Sequence, residues 1–262
     1  MSLLPCMTQK EKVIPMPMTS NCPITDLQWL TSDVVSITME AGELAETAKA
    51  GQFVNIKCGE GLLLRRPISI CDVNGSLLTV VFQVKGEGTT WLSQCQVGEE
   101  LDVLGPLGHG YDIPEGKVLV VGGGIGVPPM LYAAKCCHEA DACVGFRSQA
   151  NAILLDELNA VCGKVLVTSD DGSIGEHGFV NALVKKALAE ERYTAVFACG
   201  PKVMLKTVYD VAKEADVPCF VSMEERMGCG IGACLVCACS VGGHHKHVCK
   251  DGPVFNAQEV DW

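Results

Sequence analysis

The stretch "VLVVGGGIGVPPMLYAA", Val118 to Ala134, runs from four apolar residues through three adjacent glycines into a helical pattern. A buried strand that turns on glycine into a helix leaves unpaired N–H groups and the positive end of a dipole at the turn. Both favour a pyrophosphate, and Gly123, Gly124 and Gly126 allow the backbone to come close to one. The stretch carries no charge, yet its glycines and Pro128-Pro129 make it a poor membrane helix, because the freed backbone groups would face lipid. No acidic residue ends a second strand about 20 residues on, where "GFRSQA" stands instead. Arg147 is open to two readings there, a partner for a 2′-phosphate or a surface residue, so NAD and NADP are not distinguished.

Outward from this junction, strand and helix alternate. "ACVGF", "KVLVTSD", "TAVFACG" and "PCFVSM" read as apolar strands. Helical stretches fall at "NAILLDELNAV", "GFVNALVKKALAEE" and "PKVMLKTVYDVAKEA", which implies a parallel sheet covered on both faces. "FACGP" and "TSDDGS" end two of these strands at the edge where such sheets bind ligands, marking Cys199, Gly200 and Asp171 as candidates.

Before Pro114 the pattern differs. "DVVSITME", "GQFVNIKC", "RRPISICDV" and "LLTVVFQV" are β-rich runs separated by turns such as Asn74-Gly75, which suggests an antiparallel β-barrel. One short helix is expected at "GTTWLSQC". "RRPIS" sets a cationic pair beside a hydroxyl, and "GEGTTWLS" presents Gly88 at a helix start. Taken alone, a turn explains either string.

From Met227 the chain is rich in Gly and Cys, has little periodicity, and cannot fold around a core of its own. Cys229, Cys234, Cys237 and Cys249 have the spacing C-x4-C-x2-C-x11-C. That spacing matches the plant-type 2Fe–2S pattern, and Gly228, Gly230 and Gly232 would let the loop wrap closely around a cluster. Zinc usually takes two C-x2–4-C knuckles, of which only Cys234 and Cys237 make one. A Rieske centre needs two histidine ligands, but His244, His245 and His247 read as a solvated turn. Incidental thiols are the third alternative, and Cys239 is a fifth candidate ligand. Spacing and glycines together favour iron–sulfur.

The 262 residues carry a formal charge of −11, with 48% hydrophobic and 19% charged residues. They suit a compact chain of one to two domains and argue against a nucleic-acid partner, since no basic stripe exists to displace counterions. The N-terminus lacks the pattern of a signal peptide, so a cytoplasmic protein without a membrane segment is expected. There the 16 cysteines serve as ligands and buried apolar residues rather than disulfides.

Taken in order, these motifs resemble the ferredoxin–NADP reductase superfamily over nearly the whole chain after residue 25. "SMEERMGCGIGACLVC" followed by "VCKDGPVF" is most similar to the family of electron-transfer subunits of NAD-linked, type B dihydroorotate dehydrogenases. The resemblance implies a 1–24 extension, an FAD-binding barrel at 25–112, an NAD-binding α/β domain at 113–225 and a 2Fe–2S segment at 226–262. It implies FAD, a 2Fe–2S cluster and NAD as cofactors. The implied partner is a catalytic FMN subunit, in a heterotetramer of two of each serving pyrimidine biosynthesis. Arg66 would contact the FAD phosphates, Ser69 the ring near N5, and Pro67 and Ile68 would hold the strand against it. Gly88 and Thr89 would bind the FAD pyrophosphate. Gly123, Gly124 and Gly126 would face the NAD pyrophosphate, and Cys199 and Gly200 the nicotinamide. Glu224 either approaches the flavin or pairs with Arg226. Two other functions stay open: a related NAD(P)H–ferredoxin oxidoreductase subunit, and a zinc-stapled nucleotide sensor without redox activity.

Overall fold

The computed structural model describes residues 17–262. The first half is a barrel of β1 (Met18–Trp29), β2 (Val34–Glu40), β3 (Phe53–Ile56), β4 (Arg66–Asn74), β5 (Leu77–Gln83) and β6 (Glu100–Leu107). It closes in the order β1-β2-β5-β4-β3-β6, with every pair antiparallel. Helix α1 (Glu43–Thr47) and helix α2 (Glu87–Ser93) interrupt it, the latter where the sequence places a short helix. Cys22, Ile24, Ile37, Val54, Ile56 and Ile70 fill the interior.

The barrel starts earlier than the expected boundary at residue 25. Residues 18–23 of β1 pair with β6, so this part of the expected 1–24 extension belongs to the barrel. Only Cys22 and Ile24 are fully buried on that strand, which leaves too little apolar alternation to recognise it in sequence. The remainder of that segment, 1–16, lies outside the described residues.

The second half is a sheet of seven strands. β7 (Lys117–Gly123), α3 (Val127–Cys136), β8 (Glu139–Phe146), α4 (Leu155–Val161), β9 (Val165–Ser169) and β10 (Glu176–His177) build outward in one direction. After α5 (Val180–Glu190) the chain returns to the other side of β7 as β11 (Ala195–Cys199), α6 (Lys202–Glu214) and β12 (Cys219–Ser222). These strands are parallel, and the order reverses between β7 and β11. The expected helix over "NAILLDELNAV" shortens to α4, because Leu154 takes a left-handed φ of 58° and Ile153 before it is buried.

The tail is not a separate body. β13 (Ala238–Val241) and β14 (His244–His247) form a hairpin, α7 (Val248–Asp251) follows, and β15 (Val254–Asn256) joins the large sheet antiparallel to β12. The sheet therefore extends past the 225/226 division expected from sequence. His244, His245 and His247 lie on β14 rather than in a turn; the turn is Gly242-Gly243. Among the described residues no helix is long and apolar enough to cross a membrane.

Barrel and sheet share one continuous core. Helix α3 packs on β4, where Lys135 pairs with Asp72 at 2.5 Å and the Tyr132 hydroxyl donates to the Ala48 carbonyl at 3.0 Å. Tyr111, leaving the barrel, stacks on Phe197 of β11 with ring centroids 4.3 Å apart, and Phe220 of β12 meets Phe197 edge-on at 5.9 Å. Phe197 is fully buried, so Phe197→Ala should leave a cavity where the two halves meet and cost about 3–5 kcal/mol in denaturant unfolding of the purified protein. A loss below about 1 kcal/mol would show that the halves do not depend on this stack.

Candidate functional site

The strand order reverses between β7 and β11, which opens a crevice at their carboxyl ends. The turn Gly124–Gly126 leads from β7 into α3, with proline in the first helical turn. At Gly126 the backbone touches β11: a Cβ there would lie 2.2 Å from the Cys199 carbonyl oxygen, so no larger residue fits. The two loops that flank the crevice are thus locked to each other by backbone contact.

The crevice opens into a cavity of about 990 Å³ shared by barrel and sheet. Nine of the residues expected at the cofactors line it: Pro67, Ser69, Thr89, Gly123, Gly124, Gly126, Cys199, Gly200 and Glu224. Pro67 and Ser69 stand outward on β4, and Thr89 lies in the first turn of α2. Its hydroxyl closes that turn, accepting from the N–H groups of Lys85 (2.9 Å) and Gly86 (3.1 Å).

Four expected residues stand off the cavity wall. Ile68 lies between Pro67 and Ser69, so strand alternation turns its side chain into the barrel core, where it is buried. Arg66 folds over Gly88, where a Cβ would lie 2.2 Å from its Nε, and donates to the Leu64 and Arg65 carbonyls. Asp171 sits in a separate shallow depression, its carboxylate accepting from the Ser173 N–H (2.9 Å) and hydroxyl (2.6 Å). Its neighbour Asp170 lines the cavity instead.

The wall also holds Phe53 and Lys85, which motif reading did not single out, and Thr168 and Asp170 of the "TSDDGS" string, from which Asp171 alone was expected. Thr168 is buried, and its Oγ1 has no hydrogen-bond partner among the described residues, a polar group left for a ligand to satisfy. Thr168 and Asp170 carry the signal of a strand's carboxyl end, while Phe53 and Lys85 carry none. Burial pushes the Cys199 thiol up to about 12, with Glu224 adding to the rise against a Ser222 hydrogen bond that lowers it. Cys199 is therefore a neutral thiol near pH 7. Glu224 lines the cavity and, among the described residues, forms no ion pair with Arg226.

The four cysteines come together beside the barrel. Cys229 Sγ accepts from the N–H groups of Ile231 (3.4 Å), Ala233 (3.2 Å) and Cys234 (3.4 Å), while Cys234 Sγ accepts from Cys229 N–H (3.4 Å). Cys249 Sγ accepts from Gly232 N–H (3.1 Å) and lies 3.2 Å from Cys237 Sγ. Burial raises the Cys229 thiol, but the ring of donors overcomes it and holds the group at about 6. Cys249 is pushed up to about 12 by burial and by the adjoining Cys237.

The sulfurs thus fall into two pairs, Cys229 with Cys234 and Cys237 with Cys249. Among the described residues no three His, Cys, Asp or Glu side chains converge on a point suited to a single ion. Two irons that each take two thiolates fit a paired arrangement, and the loop's inward N–H groups suit a sulfide-bridged pair. Cys239, on β13, makes no hydrogen bond to the four sulfurs among the described residues, and burial raises its thiol.

Comparison with known proteins agrees with this geometry. Residues 224–261 match the family described as the iron–sulfur cluster binding domain of dihydroorotate dehydrogenase B. The electron transfer subunit of dihydroorotate dehydrogenase B (NAD(+)) from Caldanaerobacter subterraneus subsp. tengcongensis is 41% identical over 236 residues, 88% of this chain and 94% of that one. The subunit of the same name from Fusobacterium nucleatum is 36% identical, covering 92% of this chain and 98% of the relative. Among solved structures, one of an NADH-dependent reduced ferredoxin–NADP oxidoreductase superposes with a TM-score of 0.84 at 32% identity, covering 93% of this chain and 90% of that one. A ferredoxin reductase of carbazole 1,9a-dioxygenase shares the fold, with a TM-score of 0.64 at 21% identity over 79% of this chain and 68% of that one. With relatives matched almost end to end and the four cysteines in place, the chain belongs to the family of dihydroorotate dehydrogenase B (NAD(+)) electron transfer subunits.

Proposed function

We propose that this chain carries electrons from a catalytic, FMN-containing dihydroorotate dehydrogenase subunit to NAD⁺, in pyrimidine biosynthesis, within a heterotetramer of two of each subunit. The observation that carries this reading is adjacency: a dinucleotide-sized cavity and a paired-cysteine loop lie against the same barrel wall. FAD supplies the exchange between hydride and single-electron chemistry, and a 2Fe–2S cluster supplies the single-electron relay.

The chain's residues divide the holding work. Arg66 lies against Gly88 with Thr89 next to it in sequence, and these three would hold the FAD phosphates. Pro67 and Ser69 line the cavity and would support the ring, the Ser69 hydroxyl serving as its hydrogen-bond partner. Gly123, Gly124 and Gly126 receive the NAD pyrophosphate at the β7 turn. Cys199 and Gly200 border the nicotinamide, where a neutral thiol adds soft contact without a competing charge. Glu224 reaches the cavity from the segment that joins β12 to the cysteine loop. Cys229, Cys234, Cys237 and Cys249 ligate the two irons.

A second reading, a subunit exchanging electrons between NAD(P)H and ferredoxin, is raised by the likeness to the NADH-dependent ferredoxin–NADP oxidoreductase, but the relatives matched almost end to end favour the first. Co-expression with a catalytic dihydroorotate dehydrogenase subunit separates the two. The proposed function requires co-purification and NAD⁺-dependent orotate formation, and failure of both with reduction of ferredoxin instead would select the second reading.

Ser69→Ala should retain FAD yet slow its reduction by NADH about tenfold in stopped flow, as expected for losing one hydrogen bond made to developing charge. An unchanged rate would remove Ser69 from the chemistry. Cys234→Ala should lose iron and sulfide while NADH-to-dye activity through the flavin persists, whereas Cys239→Ala should keep full iron and sulfide. Metal analysis giving the reverse pattern would reassign the ligands.

A further inference from the structure

Asn55 of β3 is 1% exposed, and no motif marks it. Its Nδ2 donates to the Cys229 carbonyl at 3.3 Å, from a barrel strand to the first residue of the cysteine loop. The loop is seated closely there: a Cβ on Gly230 would lie 2.7 Å from Asn55 Nδ2 and 3.2 Å from Leu107 Cδ1. Meanwhile Asn55 Oδ1 is buried with no partner among the described residues. A buried amide with an orphaned acceptor is a poor packing choice, since an apolar residue of the same shape would avoid the desolvation cost. Its asset is the bond to Cys229.

The strand register gives that bond its position. Asn55 lies directly across from Pro67, and Phe53 directly across from Ser69. Phe53, Pro67 and Ser69 all line the cavity, so Asn55 stands one cross-strand neighbour from its wall and one hydrogen bond from the cysteine loop. The backbone at Asn55 is itself braced. Its carbonyl accepts from Arg65 Nη1 at 3.3 Å, and Arg65 forms a two-pronged ion pair with Asp102 of β6 at 2.8 and 2.9 Å.

We propose that Asn55 is a positioning residue that pins the cysteine loop to the flavin-side wall of the barrel and so sets the spacing for single-electron transfer between cluster and flavin. This rests on the functional reading above. No bond forms or breaks at Asn55; its contribution is distance and orientation, on which single-electron transfer depends steeply.

The test uses the full chain with its FAD and iron–sulfur cluster, and compares wild type with Asn55→Leu, which keeps the shape and removes the amide. Iron, sulfide and FAD content and NADH-to-dye activity should stay at wild-type levels. Bleaching of the cluster by NADH in anaerobic stopped flow should slow about tenfold, as small misplacements of reacting partners do, and the visible circular dichroism of the cluster should change. Cluster bleaching at the wild-type rate with an unchanged dichroism spectrum would overturn the proposal. If Asn55→Leu fails to load iron, the same comparison is made with Asn55→Ser, whose hydroxyl is too short to reach Cys229, and the same two outcomes decide. A wild-type chain that binds FAD but no iron would defeat the cluster reading itself, and the proposal with it.

Discussion

The alternation of side chains along β3 and β4 is the constraint on which the molecule's organisation depends. Val54, Ile56, Ile68 and Ile70 turn inward and build the barrel core. The intervening residues face outward, where Phe53, Pro67 and Ser69 line the cavity and Asn55 reaches the cysteine loop. A strand period of two therefore makes one pair of strands serve core, cavity and loop together. A slip of one residue in the β3–β4 register would move the cavity residues into the core and expose the isoleucines.

The nucleotide sheet meets this wall through contacts that leave little freedom. Helix α3 lies on β4, Tyr111 stacks on Phe197, and the backbone at Gly126 touches the Cys199 carbonyl. In the cysteine loop Cys229 is surrounded by backbone N–H groups, whereas Cys237 and Cys249 are buried in an apolar cluster with Phe53, Leu107 and Val248. The loop is secured at its ends, where β12 precedes it and β15 returns beside β12 in the same sheet. Metal binding adds to that anchoring, because thiolates drawn together by N–H donors are stabilised further once they are ligands. Around the outer edge of the loop Ile231, Leu235 and Val236 are each more than half exposed, next to the exposed Cys234.

Much of this was legible in the sequence, because glycine and cysteine spacing carry chemistry that does not depend on distant residues. The strand–glycine–helix junction at Val118–Ala134, the barrel runs from Val34 to Gln83 and the four-cysteine spacing all announce local geometry. Harder to read were features that depend on alternation or on partners far away in sequence. The string "RRPIS" names Ile68 beside Ser69, yet only the pleat shows that Ile68 points into the core. Asp171 and Asp170 are indistinguishable as letters, and the turn that Ser173 closes decides which one faces the cavity. Strand β1 hid behind its polar residues and Pro23, since its burial comes from pairing with β6 nearly 80 residues later. Asn55 gave no signal at all, because its significance lies in a contact 174 positions away.

A chain that holds a flavin and a cluster close enough to exchange electrons passes reducing equivalents from NADH to both. Anaerobic titration of the purified chain with NADH, followed by flavin absorbance and by electron paramagnetic resonance of the cluster, tests this transfer most directly. Both centres should become reduced, with uptake approaching about three electron equivalents per chain, two for the flavin and one for the cluster. A flavin that bleaches while the cluster stays oxidised, with uptake ending at about two equivalents, would contradict it.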